Sequence, residues 1–339
     1  MNKKTTIYDI ARELNTTIST VSRALNNHPG ISVSTKEAVQ KTADRLNYRQ
    51  NKVASALRSG RTHIIGVIIP SAELNFFGSV VHGIEQVMNQ NGYNVLLFQS
   101  NESYDHEKKG IETFIQSNVD GIIASISLET TNFDHFHELK KRNIPLIIFD
   151  RANDELDVPA VTIHDYQGGY MATEHLIKQG FKNIAHISAQ KHIKIFNDRL
   201  RGYTDALKDY DLPVHDDLIV YGKVSIESGR ECTRHLLQQQ VKPGAIFGVE
   251  DFTALGAMQE LKSQGLRIPQ DVGLIGFANE SFSAYITPAL STIDQQTKKM
   301  GEEAANLFLE LWEQKGVKTA VHKVVLDPIL VSRESSVKS

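Results

Sequence analysis

At 339 residues, with 40% hydrophobic and 23% charged side chains, the chain can bury more than one core and has an ordinary globular composition. Its single cysteine, Cys232, excludes an intramolecular disulfide and fits a reducing compartment. Charge is uneven: residues 1–62 hold 11 Lys and Arg against 4 Asp and Glu (net +7), and the rest hold 26 against 36 (net −10), so the formal −3 of the whole conceals a basic segment joined to an acidic body. Such asymmetry points to a polyanion partner on the basic side. No apolar stretch is long enough to cross a bilayer, and no apolar segment follows the first Met, so a cytoplasmic protein with no membrane partner is expected.

Residues 6–26, TIYDIARELNTTISTVSRALN, carry two short amphipathic helical patterns that meet at a three-residue polar joint. Thr6 and Asp9 form a capping box, and Ile7, Ile10, Ala11 and Leu14 make one buried stripe. Asn15 sits where the chain must reverse, and Asn tolerates the left-handed conformation. Thr17 is the N-cap of the second pattern. Val21, Ala24 and Leu25 form its inner face, which leaves Ile18, Ser19, Ser22, Arg23 and Asn26 outside or on the flank. A third helix is predicted from a second capping box, Ser34 to Glu37, with Ala38, Val39, Thr42, Ala43 and Leu46 packed inward. The pattern predicts a helix-turn-helix headpiece over residues 1–50, whose second helix can enter a major groove; the alternative is an ordinary helical subdomain with a polar face. Residues 51–62, NKVASALRSGRT, read as a short helix or as a flexible linker. On the first reading Leu57 is an apolar wedge for a minor-groove step.

The run from Thr6 to Pro70 resembles the signature of the lactose-repressor/galactose-repressor (LacI/GalR) family of bacterial transcription regulators. It carries TIYDIAREL, TVSRALNN, ISVSTKEAV and LNYRQNKVASALRSGRTHIIGVIIP. By position, Thr6 and Thr17 resemble the family's phosphate contacts, and Ile18, Ser19 and Arg23 its base-reading positions. Leu57, with Arg58 beside it, resembles the hinge leucine. Ser22, Asn26, Tyr48 and Asn51 complete the candidate DNA-binding set. There are two departures. The turn carries Asn15-Thr16 where the family usually has Gly-Val, and Ile18 can touch a thymine methyl but cannot read a donor/acceptor pattern. The family's operator sequence therefore does not transfer.

From residue 63 continuous apolar runs alternate with amphipathic helical stretches. The runs are 64–69, 94–98, 119–126, 144–149, 160–163, 184–188, 245–249 and 272–277. Runs apolar throughout suit strands buried on both faces of a parallel sheet. Helices are predicted between them, for example Ser79 to Asn91 and Tyr166 to Gln179. The alternation predicts an α/β, doubly wound body in two lobes, with ligands outside the carboxyl ends of the strands. The resemblance implies a body like a periplasmic binding protein, crossed three times by the chain, near 162–166, 291–296 and 322–325. Lobe 1 is then about 63–163 and 294–322, and lobe 2 about 164–293 and 323–339.

The cleft candidates are Asn75, Phe76, Phe77, Asp150, Arg199, Val224, Glu250, Asp251 and Asn279. The two Phe rings suit stacking on a sugar or base, or plain core packing. Asp150 suits ligand hydroxyls, or pairing with Arg151, or a helix cap. The resemblance places Arg199 at the family's ligand-binding arginine. Ala278-Asn279 stands where relatives often carry an Asp, and Val224 where they often carry a stacking aromatic, so a carbohydrate or sugar derivative is the implied effector but not which one. No phosphate-cradling glycine loop, G-x-G-x-x-G after a strand, or G-x-S-x-G elbow is present. His135 and His137 lie two apart in a helical stretch and face different ways, and His82, His164, His186 and His192 are scattered. No catalytic centre, metal site or cofactor is expected. A transporter's solute-binding protein and a sugar-modifying enzyme are the competing classes. The basic segment favours a regulator, expected as a homodimer on a roughly palindromic operator. No heptad tail follows residue 335, so a coiled-coil tetramer is not expected.

Overall fold

A computed structural model describes residues 5–48, 60–313 and 322–338. They form two compact units, one ending at Thr62 and the other starting at His63.

The first unit has three helices, α1 (Ile7–Glu13), α2 (Ile18–Leu25) and α3 (Val33–Arg45). Local chemistry sets their ends. The backbone N–H and the hydroxyl of Thr6 both donate to the Asp9 carboxylate, at 2.8 and 2.7 Å. Asn15 takes the left-handed conformation (φ 45°), and Thr16 N–H returns to Ala11 O at 2.9 Å. The Thr17 hydroxyl then accepts the Thr20 amide at 3.1 Å and starts α2. Ile10, Ala11, Val21, Ala24, Val39 and Ala43 form the core. One expectation is corrected. α3 starts from Ser32, whose hydroxyl accepts the Thr35 amide, and not from a Ser34–Glu37 box. Ser32 offers an equivalent cap two residues earlier, and Ala38 turns outward.

The second unit begins with β1 (Ile64–Ile69), α4 (Asn75–Gln90), β2 (Asn94–Gln99), α5 (Tyr104–Gln116), β3 (Gly121–Ala124), α6 (Asp134–Lys141), β4 (Leu146–Phe149) and β5 (Ala160–Ile163). It continues through α7 (Asp165–Lys178), β6 (Ile184–Ser188), α8 (Lys194–Asp209), β7 (Ile219–Tyr221), α9 (Ile226–Leu236), β8 (Ala245–Gly248), α10 (Asp251–Ser263) and β9 (Gly273–Ile275). It closes with β10 (Thr292–Asp294), α11 (Thr297–Glu313), β11 (Lys323–Leu326) and β12 (Ile329–Val331). Lobe 1 is a six-stranded parallel sheet, ordered β11-β5-β4-β3-β1-β2. Lobe 2 is a four-stranded parallel sheet, ordered β7-β6-β8-β9. β10 and β12 pair antiparallel, and β10 also bonds the tail of β9 through Gly276 N–H to Ser291 O and Ala278 N–H to Ile293 O.

Each sheet is covered on both faces, as parallel sheets require. In lobe 1 one core sits under α4 and α11 and the other under α5 and α6; in lobe 2 one sits under α9 and α10 and the other under α7 and α8. Paired glycines bring neighbouring helices close. A Cβ on Gly83 would strike the Lys298 carbonyl and one on Gly301 the Val80 carbonyl, which fixes α4 against α11.

Three sequence expectations change. Lys323–Leu326, expected in lobe 2, pairs with β5 in the lobe 1 sheet, and Leu326 joins that lobe's core. The third crossing therefore follows Leu326 and not 322–325. Pro328 ends the strand, because it has no N–H to continue the ladder. α4 starts at Asn75 and not near Ser79. Finally, β2 is an edge strand and not buried on both faces: Leu96 is 39% and Leu97 50% exposed.

Candidate functional site

The first unit presents one polar helix face. Thr17, Ile18, Ser19, Arg23 and Asn26 are exposed, with Ser22 half-buried on the flank, while Val21 and Ala24 on the opposite side are buried. Ile18 is 38% exposed although apolar. Thr6 is exposed and Tyr48 half-buried. This arrangement lets the second helix offer side chains to a groove while its back holds the core. Asn51, Leu57 and Arg58, with the rest of the expected hinge over residues 49–59, lie outside the described residues.

The second unit encloses a cavity of about 320 Å³ between its lobes. The carboxyl ends of eight strands supply its lining, as open α/β sheets dictate. Lobe 1 contributes Ser71 after β1, Glu102 after β2, Leu128 after β3, and Asp150 and Arg151 after β4; Leu74, Phe76 and Phe77 come from the start of α4. Lobe 2 contributes Gln190 after β6, Lys223 and Val224 after β7, Glu250 after β8 and Ala278 after β9; Ile195, Phe196 and Arg199 come from α8. Gln295 comes from the second crossing.

Electrostatic matching organises the polar part. Arg199 is 2% exposed. Its Nε donates to Asp165 Oδ1 at 2.8 Å, its Nη1 to Val249 O at 2.9 Å and its Nη2 to Gln295 Oε1 at 3.5 Å. The Phe277 ring lies 3.6 Å from the guanidinium carbon. Burial pushes the Asp165 carboxyl up to about 6, against the opposing pull of Arg199. Arg151 grips Glu102 with both Nη atoms, at 2.7 and 3.0 Å. Asp150 takes a left-handed backbone (φ 62°), and burial raises its carboxyl, with Arg151 and Arg199 pulling it back. Glu250 is raised well above the usual range by burial and by Asp251 beside it.

The lobes also touch directly. Glu280 of lobe 2 accepts the Phe76 N–H of lobe 1 at 3.1 Å. Leu128 packs into the lobe 2 cluster of Ala189, Ile195, Phe196 and Val249, and its carbonyl lies 3.2 Å from His192 Nε2.

Six of the nine cleft candidates, Phe76, Phe77, Asp150, Arg199, Val224 and Glu250, line the cavity. The two Phe rings also pack in the lobe 1 core, edge to face 5.0 Å apart. Asn75, Asp251 and Asn279 are not in the lining. Asn75 is exposed at the start of α4. Asp251 is buried and accepts Thr292 Oγ1 and Glu280 N–H, both at 2.7 Å, which ties α10 to the β9–β10 region; burial pushes it up to about 7. Asn279 donates to Asp294 and accepts from Arg333. Sequence reasoning missed Glu102, Phe196 and Gln295 in the lining and Asp165 behind Arg199. Glu102 follows β2 as Asp150 follows β4, so the strand-end rule reaches it; Asp165 carries no such mark. His135, one of the two histidines spaced two apart, pairs with buried Glu107 at 2.8 Å.

A three-helix unit with an exposed second helix, in one chain with a two-lobed α/β unit that has a cavity between its lobes, defines the class of ligand-controlled DNA-binding regulators. The comparisons agree. Residues 6–51 match the family model "Bacterial regulatory proteins, lacI family". Residues 62–327 match "Periplasmic binding proteins and sugar binding domain of LacI family". The chain is 35% identical over 317 residues to the catabolite control protein A of Priestia megaterium, covering 93% of this chain and 95% of that one. It superposes on the lac repressor dimer bound to operator and the anti-inducer ONPF with a TM-score of 0.87, at 25% identity over 99% of this chain and 100% of that one. A transcriptional regulator CelR–cellobiose complex matches with a TM-score of 0.74, at 25% identity over 98% and 100% of the two chains. The chain belongs to the LacI family of bacterial transcriptional regulators. These relatives are regulators, not enzymes, and among the described residues no helix is long and apolar enough to cross a membrane.

Proposed function

We propose that this protein is a cytoplasmic repressor that binds a roughly palindromic operator as a homodimer and is controlled by a carbohydrate-like effector in the interlobe cavity. The observation that carries the reading is the convergence of strand ends from both lobes on one cavity, where carboxylates and guanidinium groups stand beside Phe76, Phe77 and Phe196. Acceptors and forked donors suit hydroxyl pairs, and flat rings suit the apolar face of a sugar. The exposed face of α2, with Thr6 and Thr17 on the phosphates and Ile18, Ser19 and Arg23 at base edges, is the DNA contact. Exposed Leu96 and Leu97 on the β2 edge, near α4, support a second copy as the partner of lobe 1.

Selection of bound sites from random duplexes, with and without a panel of mono- and disaccharides, tests the reading. The expected result is a two-fold symmetric consensus whose recovery changes with one sugar. An asymmetric consensus, or none at low salt, contradicts it.

A further inference from the structure

We infer that the cleft selects a ligand that brings hydrogen-bond donors and carries no anionic group, because both guanidinium groups facing it are already held by carboxylates while two further carboxyl groups accept no side-chain hydrogen bond among the described residues. The inference rests on the reading of the cleft as a carbohydrate site and adds the charge class of the effector.

The matching is explicit in the contacts. Glu102 occupies both Nη atoms of Arg151, and Ile126 O lies 3.2 Å from Nη1. Asp165 and Val249 O hold Arg199 from behind, and the Phe277 ring covers its face. Asp150 and Glu250 remain. Asp150 Oδ2 forms an ion pair with Arg151 Nε at 3.7 Å, too long for a hydrogen bond, so that Nε has no hydrogen-bond partner and the Asp150 carboxylate accepts no hydrogen bond from the described residues. Glu250 accepts the Phe252 amide at 2.7 Å and no side-chain donor among the described residues. Lys223, the third cation in the lining, is exposed at the rim and strongly hydrated.

An ionised carboxylate only accepts hydrogen bonds, so two that accept none from a side chain call for hydroxyl or ammonium donors. A phosphate or uronate in the same space opposes the ionisation of both groups, and any charge they carry repels it far more strongly at low local dielectric than in water. Burial raises both carboxyls, against the pull of Arg199 on each and of Arg151 on Asp150, so a ligand that brings donors is what favours their ionised forms.

Calorimetry of the full-length protein with matched probes tests this. Each neutral hexose, pentose and disaccharide is titrated beside its amino, phosphate and uronate forms. The best binder is expected to be a neutral or amino member, with its anionic form weaker by at least about tenfold. Asp150→Asn and Glu250→Gln are each expected to raise the affinity of the anionic form relative to the neutral one. Tighter binding of a phosphate or uronate by the wild type, or a ratio unmoved in both folded variants, overturns the inference and leaves the carbohydrate reading standing. If no member of any set binds, the carbohydrate reading fails and the inference falls with it.

Discussion

The two proposed binding regions of this protein are built on opposite plans. The α2 face is a set of exposed side chains standing on a small core, and none of Thr17, Ile18, Ser19, Arg23 or Asn26 belongs to that core. The cleft is made of buried groups that bind one another: Arg199 holds Asp165, Val249 O and the Phe277 ring before any ligand arrives. A reading surface of the first kind can change specificity without endangering the fold. A cavity of the second kind cannot lose a charge without unsettling its partner.

The largest effect is therefore expected at Arg199. Arg199→Ala strands Asp165 in a buried site and should cost about 3–5 kcal/mol of body stability in urea unfolding, together with the whole effector response. A variant as stable as wild type would dissolve the contrast between the two regions. At the exposed face, Arg23→Ala should weaken operator binding by about 1–3 kcal/mol while leaving unfolding of the body and effector affinity unchanged. A comparable loss on non-specific DNA would mean that Arg23 contacts phosphate only. Glu280→Ala removes the acceptor that joins the lobes at Phe76 and should lower effector affinity by about 1–2 kcal/mol in calorimetry. Unchanged affinity would show that this bond forms equally with and without ligand. Thr17→Ala removes the α2 cap and should destabilise the headpiece by about 1 kcal/mol, read by thermal melting of that unit.

A smaller effect of known sign concerns pH. Asp165, at about 6, together with Asp150 and Glu250, titrates above the ordinary carboxylate range when folded. For a raised folded-state value, the stability contributed is complete below the unfolded value and lost as pH rises through the folded one. The unliganded body should therefore lose part of its stability between about pH 4 and pH 6 from Asp165, with further loss as pH rises through the raised values of Asp150 and Glu250. A donor ligand favours the ionised forms of Asp150 and Glu250, so its binding should release protons, visible as a dependence of binding enthalpy on buffer. Proton uptake would reverse the assignment.

The contrast also explains what the sequence disclosed. The headpiece was legible because its determinants are local: Thr6 with Asp9, the left-handed Asn15 and the Thr17 cap all act within a few residues. Strand ends in the body were legible by the same logic, and they led to Asp150 and Glu250; Val224 came from the family resemblance. The start of α4 was not, because part of what caps it is Glu280, 204 residues away from Phe76. Asp165 and Gln295 meet Arg199 only through the crossings between lobes. The exposure of β2 was hidden too, since an apolar run reads alike at the edge of a sheet and at its centre. The passage of the chain after Leu326 was marked by Asp327-Pro328, a turn signal that the apolar run around it obscured.

The central claim is that one ligand-binding cleft and one DNA-reading face share a single equilibrium. Effector affinity, measured by calorimetry with and without saturating operator duplex, tests it most directly. Linkage requires operator to change effector affinity by the same factor by which effector changes operator affinity, and the account predicts that equality with a factor well away from one. Effector affinity that stays the same on fully bound operator would contradict it.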